Sequence, residues 1–239
     1  MNNVRTVSDT KRSFYSLHTR PINTIYRRVV EELIVEMHLL SVNVDFRYDP
    51  VYALGVVTSF DRFMQAYQPS KDQASIFEAL CRAVEADPDR FRQDADRLRH
   101  LAKSLSADEL LNWLCFQSYR EDVADLQQCL RAIAENPRFK YSRLFAIGIF
   151  SLLEEADPDL TKDETRLASA LEKIGTTLNV PVDKFQRDLE LYRSNLEKMQ
   201  QAQAVMEDAI AAERKRRQQR EQASQDTVAT PADNTPESA

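Results

Sequence analysis

Three histidines (His18, His38, His100) and three cysteines (Cys81, Cys115, Cys129) are the side chains of this 239-residue chain best suited to bind a metal or attack a substrate. Their spacing supports neither. A di-iron helical bundle needs Glu-x-x-His, which sets both ligands on one helix face. The residues three before the histidines are Tyr15, Val35 and Arg97. The His-Glu-x-x-His pattern of zinc hydrolases is absent, and no two cysteines stand in C-x-x-C spacing. A Cys–His nucleophilic pair would have to meet in space, and no glycine-flanked turn presents a nucleophile for it. Average usage would give about 17 glycines, and this chain has three. Gly55, Gly148 and Gly175 stand apart, so neither a phosphate-cradling loop nor a dinucleotide fingerprint can be built. No catalytic residue, metal or cofactor is expected. His38 reads as a cation at the end of a helix, where the dipole favours it. The odd, unpaired cysteines read as reduced thiols packed in the core of an intracellular protein.

Charge is the more informative chemistry. Through Arg28 the chain carries Arg5, Lys11, Arg12, Arg20, Arg27 and Arg28 against one acid, Asp9, while the whole has a net charge of −6. A basic N-terminal end therefore sits on an acidic body. Arg12, Arg20, Arg27 and Arg28 are candidate contacts for an acidic partner; the plainer reading makes them solvated residues paired with Glu31, Glu32 and Glu36. Near the other end, Arg214, Lys215, Arg216, Arg217 and Arg220 form a second cluster. It suits anionic lipid, at about 1 kcal/mol per basic residue, or simply a helix C-terminus. Nucleic acid is excluded as a partner, because a pI near 5.3 opposes the required field.

The elements that position these groups are helical. Apolar residues recur at helical spacing through Ile22, Ile25, Tyr26, Val29, Val30, Leu33, Ile34, Met37 and Leu40, predicting a helix over 21–40 that opens on Pro21. Asp49-Pro50 restarts the chain into a helix running to Tyr67, apolar on most sides and expected to be the central one. Shorter helices are expected around Phe14 behind a cap at Ser8-Asp9-Thr10, around Ile76–Val84, from Pro88, from the capping box Ser106–Glu109, around Val123–Ile133, over 142–155, and from a second capping box at Thr161–Glu164. No internal repeat of fixed period is visible. From Pro181 the apolar positions become Phe185, Leu189, Tyr192, Leu196, Met199, Met206 and Ile210, a heptad seam with Gln203 at the missing place. Phe and Tyr suit a seam folded on the body, and the thinner part with Met206 and Ile210 suits binding a partner. The reading is all-α: a helical bundle over 1–180, a long C-terminal helix over 181–222 projecting from it, and a disordered tail over 223–239. A monomer is expected. The most apolar run, Leu144–Leu153, is too short to span a bilayer.

Several stretches resemble the thylakoid formation protein family of cyanobacteria and chloroplasts: Thr6–Tyr15, His18–Ile22, Asn43-Val-Asp-Phe-Arg-Tyr-Asp-Pro50, Ala53–Thr58, Asn136-Pro-Arg-Phe-Lys-Tyr-Ser-Arg-Leu-Phe-Ala-Ile-Gly148 and Asp188–Met199. The resemblance covers nearly the whole chain short of the tail. It implies a non-enzymatic role in thylakoid biogenesis and photosystem II assembly and repair. By that resemblance the expected partners are FtsH-type membrane AAA proteases, photosystem II repair components or both, met from a peripheral position on the cytoplasmic (stromal) side of the thylakoid, with a soluble cytoplasmic pool. The alternative is a peripheral protein that handles thylakoid lipid or pigment. The family supplies no catalytic residue to transfer.

Overall fold

The computed structural model describes residues 5–228, without the side chains of 206, 207, 210 and 220–228. Eleven α-helices and one 3-10 turn, Glu121–Val123, are present among them, with no strand. They divide into two compact units, one ending at Ser194 and one beginning at Asn195.

The first unit is organised around two helices, α3 (Pro50–Phe63) and α8 (Arg143–Ala156), each buried along its length. They run side by side in the same direction. Asp45 and Arg138 pair just before their N-termini at 3.4 Å, the Thr58 and Ser151 hydroxyls meet midway at 3.2 Å, and Arg62 pairs with Glu154 near their ends. Glycine sets how close they come. A Cβ on Gly55 would lie 1.7 Å from the Leu144 carbonyl oxygen, and one on Gly148 would lie 2.0 Å from the Val51 carbonyl oxygen. Two of the three glycines are therefore one structural device, in which the backbones of two helices touch. Around this pair lie α1 (Val7–Leu17), α2 (Thr24–Ser41), α4 (Asp72–Ala83), α5 (Pro88–Lys103), α6 (Ala107–Leu114), α7 (Ala124–Ala134), α9 (Pro158–Lys162), α10 (Glu164–Thr177) and the start of α11 (Val182–Val228).

The contacts of α3 and α8 reveal what the linear pattern hides: the unit is an internal duplication. Val51 corresponds to Leu144, Gly55 to Gly148 and Thr58 to Ser151 at one constant sequence offset, and each meets its counterpart's neighbourhood reciprocally. The loops before them correspond too. Asn43 and Asn136 each accept the amide two residues on, at 2.9 and 3.0 Å, and Asp49 and Ser142 each cap the following helix. Tyr48 donates to Asp94 on α5 at 2.7 Å, and Tyr141 donates to Asp188 on α11 at 2.9 Å. Arg90 stacks over Tyr48, and Lys184 lies over Tyr141. With one residue more, α4 and α10 end alike: Glu85 and Asn179 have positive φ (61° and 55°), and the next amide bonds back to Cys81 and Gly175 at 2.9 Å. So α2–α3–α4–α5 repeats as α7–α8–α10–α11, packed as an isologous dimer inside one chain. The expectation of no repeat is corrected. Side-chain identity has diverged at most positions, while hydrogen-bonding roles and glycines have persisted.

Several helix starts also differ from their sequence expectation. α2 begins at Thr24 because Asn23 caps it, accepting Ile25 N–H at 3.2 Å; a start on Pro21 would leave Arg20, which has no acceptor, as the cap. α1 opens on a capping box between Thr6 and Asp9. α10 is capped by Asp163 rather than Thr161, whose buried hydroxyl instead donates to Pro158 O. α3 stops at Phe63, leaving Tyr67 buried in the following turn.

α11 runs unbroken for 47 residues, to Val228. Its first turns belong to the first unit, where Phe185, Leu189 and Tyr192 are core. In the second unit the described side chains from Ala211 to Gln219 are all exposed. Of the tail expected from Ala223, residues 229–239 lie outside the described residues.

Candidate interaction surfaces

The groups best suited to chemistry are used for packing. His38 sits inside α2, buried, its Nδ1 hydrogen-bonded to the Thr10 hydroxyl of α1 at 2.8 Å. Burial, reinforced by the nearby Arg5 charge, lowers its pKa, so the ring is neutral rather than the solvated cation expected at a helix end. His18, also buried, meets Ser75 Oγ at 3.1 Å, and its pKa is likewise lowered by burial first and by Arg20 second. His100 donates to the Asp96 carbonyl on its own helix. Both buried rings anchor α1 and the segment after it. Their folded pKa values lie below the unfolded value of about 6.5, so the stability they contribute is present above that pH and is lost as pH falls through it. This contribution opposes that of a buried carboxylate titrating in the same range, so the check is a difference: in a pH series of melting curves, His38→Gln is expected to shift the balance of midpoints toward the acidic side of about 6.5 relative to wild type.

Cys81 is a core thiol whose pKa burial pushes up to about 12. Cys129 is exposed, contrary to the expectation of three core thiols. Among the described residues no hydrogen bond joins a cysteine to a histidine, and no group of three or more His, Cys, Asp or Glu is placed to hold a metal ion. An aromatic-walled cavity of about 320 Å³ lies between Phe46, Tyr48, Tyr52, Phe91 and Arg90, beside Glu85 and Asp87. Arg5 and Arg90 already lie at its charged and aromatic groups, through Glu85 and Tyr48.

The basic N-terminal residues are mostly spoken for. Arg5 pairs with Glu85, Lys11 with Glu31 at 2.8 Å, Arg12 weakly with Asp9 at 3.4 Å, and Arg28 with Glu32 at 3.2 Å; Arg27 is exposed. Arg20 differs, because its guanidinium lies 2.9 Å from Asp72, a carboxylate buried in the first turn of α4. Arg20→Ala leaves that carboxylate unpaired and is expected to cost about 2–3 kcal/mol in denaturant unfolding. Arg12→Ala and Arg28→Ala are expected to stay within about 0.5 kcal/mol. Arg214, Lys215, Arg216 and Arg217 lie on the exposed stretch of α11; the side chains of Met206, Ile210 and Arg220 lie outside the described residues.

The two loops that precede α3 and α8 stand in the sequence as separate signatures. Their shared pattern, Asn-x-x-Phe-basic-Tyr followed by an N-cap, was the available sign of the duplication. Side by side, they place Val44 (82% exposed), Arg47, Arg138 and Lys140 on one end of the unit, beside Leu39 and Val42 at the end of α2.

Comparison with known proteins fits this arrangement. A solved structure of Psb29 superposes with a TM-score of 0.77 at 45% identity, covering 89% of this chain and 98% of that one. Protein Thf1 of Nostoc punctiforme is 64% identical over 98% of this chain and all of its own length. Protein Thf1 of Acaryochloris marina is 56% identical over the whole of this chain and 97% of its own. The profile of the thylakoid formation proteins matches residues 6–221, a span that takes in both copies of the repeat and most of α11. With the fold of Psb29 and near full-length identity to Thf1, the chain belongs to the thylakoid formation protein family.

Proposed function

We propose that this protein is a non-enzymatic helical interaction protein of thylakoid biogenesis and photosystem II assembly and repair. In this reading it binds FtsH-type membrane AAA proteases and supports their accumulation. It works as a peripheral protein on the cytoplasmic (stromal) side of the thylakoid membrane. The observation that carries the reading is α11, an unbroken helix whose described side chains from Ala211 to Gln219 are all exposed. A helix polar all round gains nothing from burial of its own and suits contact with another molecule. Among the described residues no helix is long and apolar enough to cross a membrane, which fits a peripheral position.

The test is a tagged pull-down from detergent-solubilised photosynthetic membranes after high light, at low and high salt. Recovery of an FtsH-type protease is expected. If high salt removes it, the basic residues Arg12, Arg27, Arg28 and Arg214–Arg217 are the contacts to neutralise first. If it survives high salt, Met206 and Ile210 come first. A preparation that recovers photosystem II subunits or lipid but never the protease overturns the reading.

A further inference from the structure

The duplication supplies an internal comparison for the exposed residues of the two repeats, because the same local structure forms around whatever the counterpart carries. At the end of α2 and in the loop after it, Leu39 is 56% exposed, Val42 38% and Val44 82%. Their counterparts at the end of α7 are Ala132, Glu135 and Pro137. One copy has small, charged and turn-forming residues at these positions; the other has three apolar side chains. The apolar triad is therefore not something the fold needs.

Leu39 and Val42 are three residues apart on the outer face of α2, opposite Tyr26, Val30, Leu33 and Met37 in the core. Val44 stands at the tip of the next turn. The surface is a protrusion rather than a groove. Its rim is basic: Arg47 donates to the Val44 and Phe46 carbonyls at 2.9 and 2.7 Å, Arg138 is held beside the tip by Asp45, and Lys140 follows on the same loop. The nearby acids are Asp45, already paired with Arg138, exposed Glu135, and Glu85 and Asp87 across the Phe46 cavity, where Glu85 is paired with Arg5 and Arg90 lies alongside. A local excess of positive charge thus frames an apolar tip on a chain of net charge −6.

We infer that Leu39, Val42 and Val44 form a wedge that enters the interfacial layer of an anionic bilayer, with Arg47, Arg138 and Lys140 on the head groups. A bilayer accepts protruding apolar side chains without a matching pocket, and basic residues at its edge add attraction to anionic lipid. Three small apolar groups give weak, reversible attachment, which suits a peripheral protein. The inference rests on the peripheral-membrane part of the reading above, but it assigns the contact to the duplicated loops rather than to α11, and it needs no protease.

The experiment is flotation of the full chain with vesicles of phosphatidylcholine alone or mixed with phosphatidylglycerol. Wild type is expected to float with the mixed vesicles and much less with the neutral ones. The variant L39A/V42E/V44P, which copies the second repeat, should melt like wild type and bind about tenfold more weakly or less. L39S/V42S/V44S should lose binding similarly, separating lost wedge from added charge. R47Q/K140Q should lose mainly the preference for anionic vesicles. Failure of wild type to float, or flotation of both triple variants equal to that of wild type, overturns the inference. So does loss of flotation only when Arg214, Lys215 and Arg216 are neutralised, because the contact then lies on α11. If wild type ignores vesicles while a triple variant loses the protease in the pull-down, the patch docks a protein instead. The vesicles contain no protein, so the two readings fail separately.

Discussion

Gly55→Ala and Gly148→Ala should each lower the thermal midpoint by roughly 6–12 °C, while Gly175→Ala should leave it within a few degrees. Alanine is the better helix former by about 1 kcal/mol, so local propensity predicts the opposite for all three. The difference lies in what the new methyl meets. At Gly55 it meets the Leu144 carbonyl oxygen at 1.7 Å and the Gly148 amide nitrogen at 3.1 Å, and at Gly148 it meets the Val51 carbonyl oxygen at 2.0 Å. Those are backbone atoms of a buried helix, and they move only if α3 and α8 separate. Separation also breaks the Thr58–Ser151 hydrogen bond and opens gaps along both buried faces. Overpacking usually costs about 1–3 kcal/mol, and a backbone clash belongs at or above the top of that range. At Gly175 the nearest atom is a Val182 methyl at 2.7 Å and the next is 3.6 Å away, so a side chain can yield. Calorimetry of the three variants decides the matter. Equal, small shifts at all three positions would show that the helices do not touch through glycine.

Asp49→Asn should stabilise the protein above pH 7 and flatten its stability between about pH 4 and pH 7. Asp49 caps α3, accepting Tyr52 N–H at 2.8 Å, and it is buried. Burial raises its pKa to about 7 despite the two backbone amides, of Tyr52 and Val51, that favour the carboxylate. Unfolded, the carboxyl releases its proton near 3.8. Between those values the folded chain holds a proton that the unfolded chain has lost. The stability this group contributes is therefore fully present below 3.8 and is lost as pH rises through about 7. The full shift corresponds to something on the order of 2–4 kcal/mol. Asparagine caps as well as aspartate and carries no charge to bury. The second repeat already uses this solution, since Ser142 fills the same position and caps α8 by accepting Phe145 N–H at 3.1 Å. Asp49→Ala should instead lose the cap at every pH. Chemical denaturation of the three proteins from pH 4 to pH 8 separates these outcomes, and an unchanged slope in Asp49→Asn would place the titration elsewhere.

Much of this protein is local and could be read from its residues alone. Helix periodicity, the Asp-Pro starts at Asp49, Asp87 and Asp157, and the capping box at Ser106 act within a few residues, so the all-α class and most element positions followed directly. Long signature stretches were enough to indicate the family. Choices between competing local cues were less legible: Asn23 against Pro21, and Asp163 against Thr161, turned on which side chain had an acceptor free to reach the first amides.

What only the tertiary structure decided involves residues far apart in the chain. Gly55 and Gly148 each look like a solitary helix breaker until the other is placed beside it. His38 looks like a surface cation until Thr10 covers it, and only the fold shows that Arg20 stands beside the buried Asp72. The duplication stayed hidden for the same reason. What the two copies share is not a run of identical residues but a set of roles: an asparagine turn, a tyrosine donating to an aspartate, an N-cap, a glycine facing a carbonyl. Those roles are defined by contacts, and contacts exist only once the chain has folded.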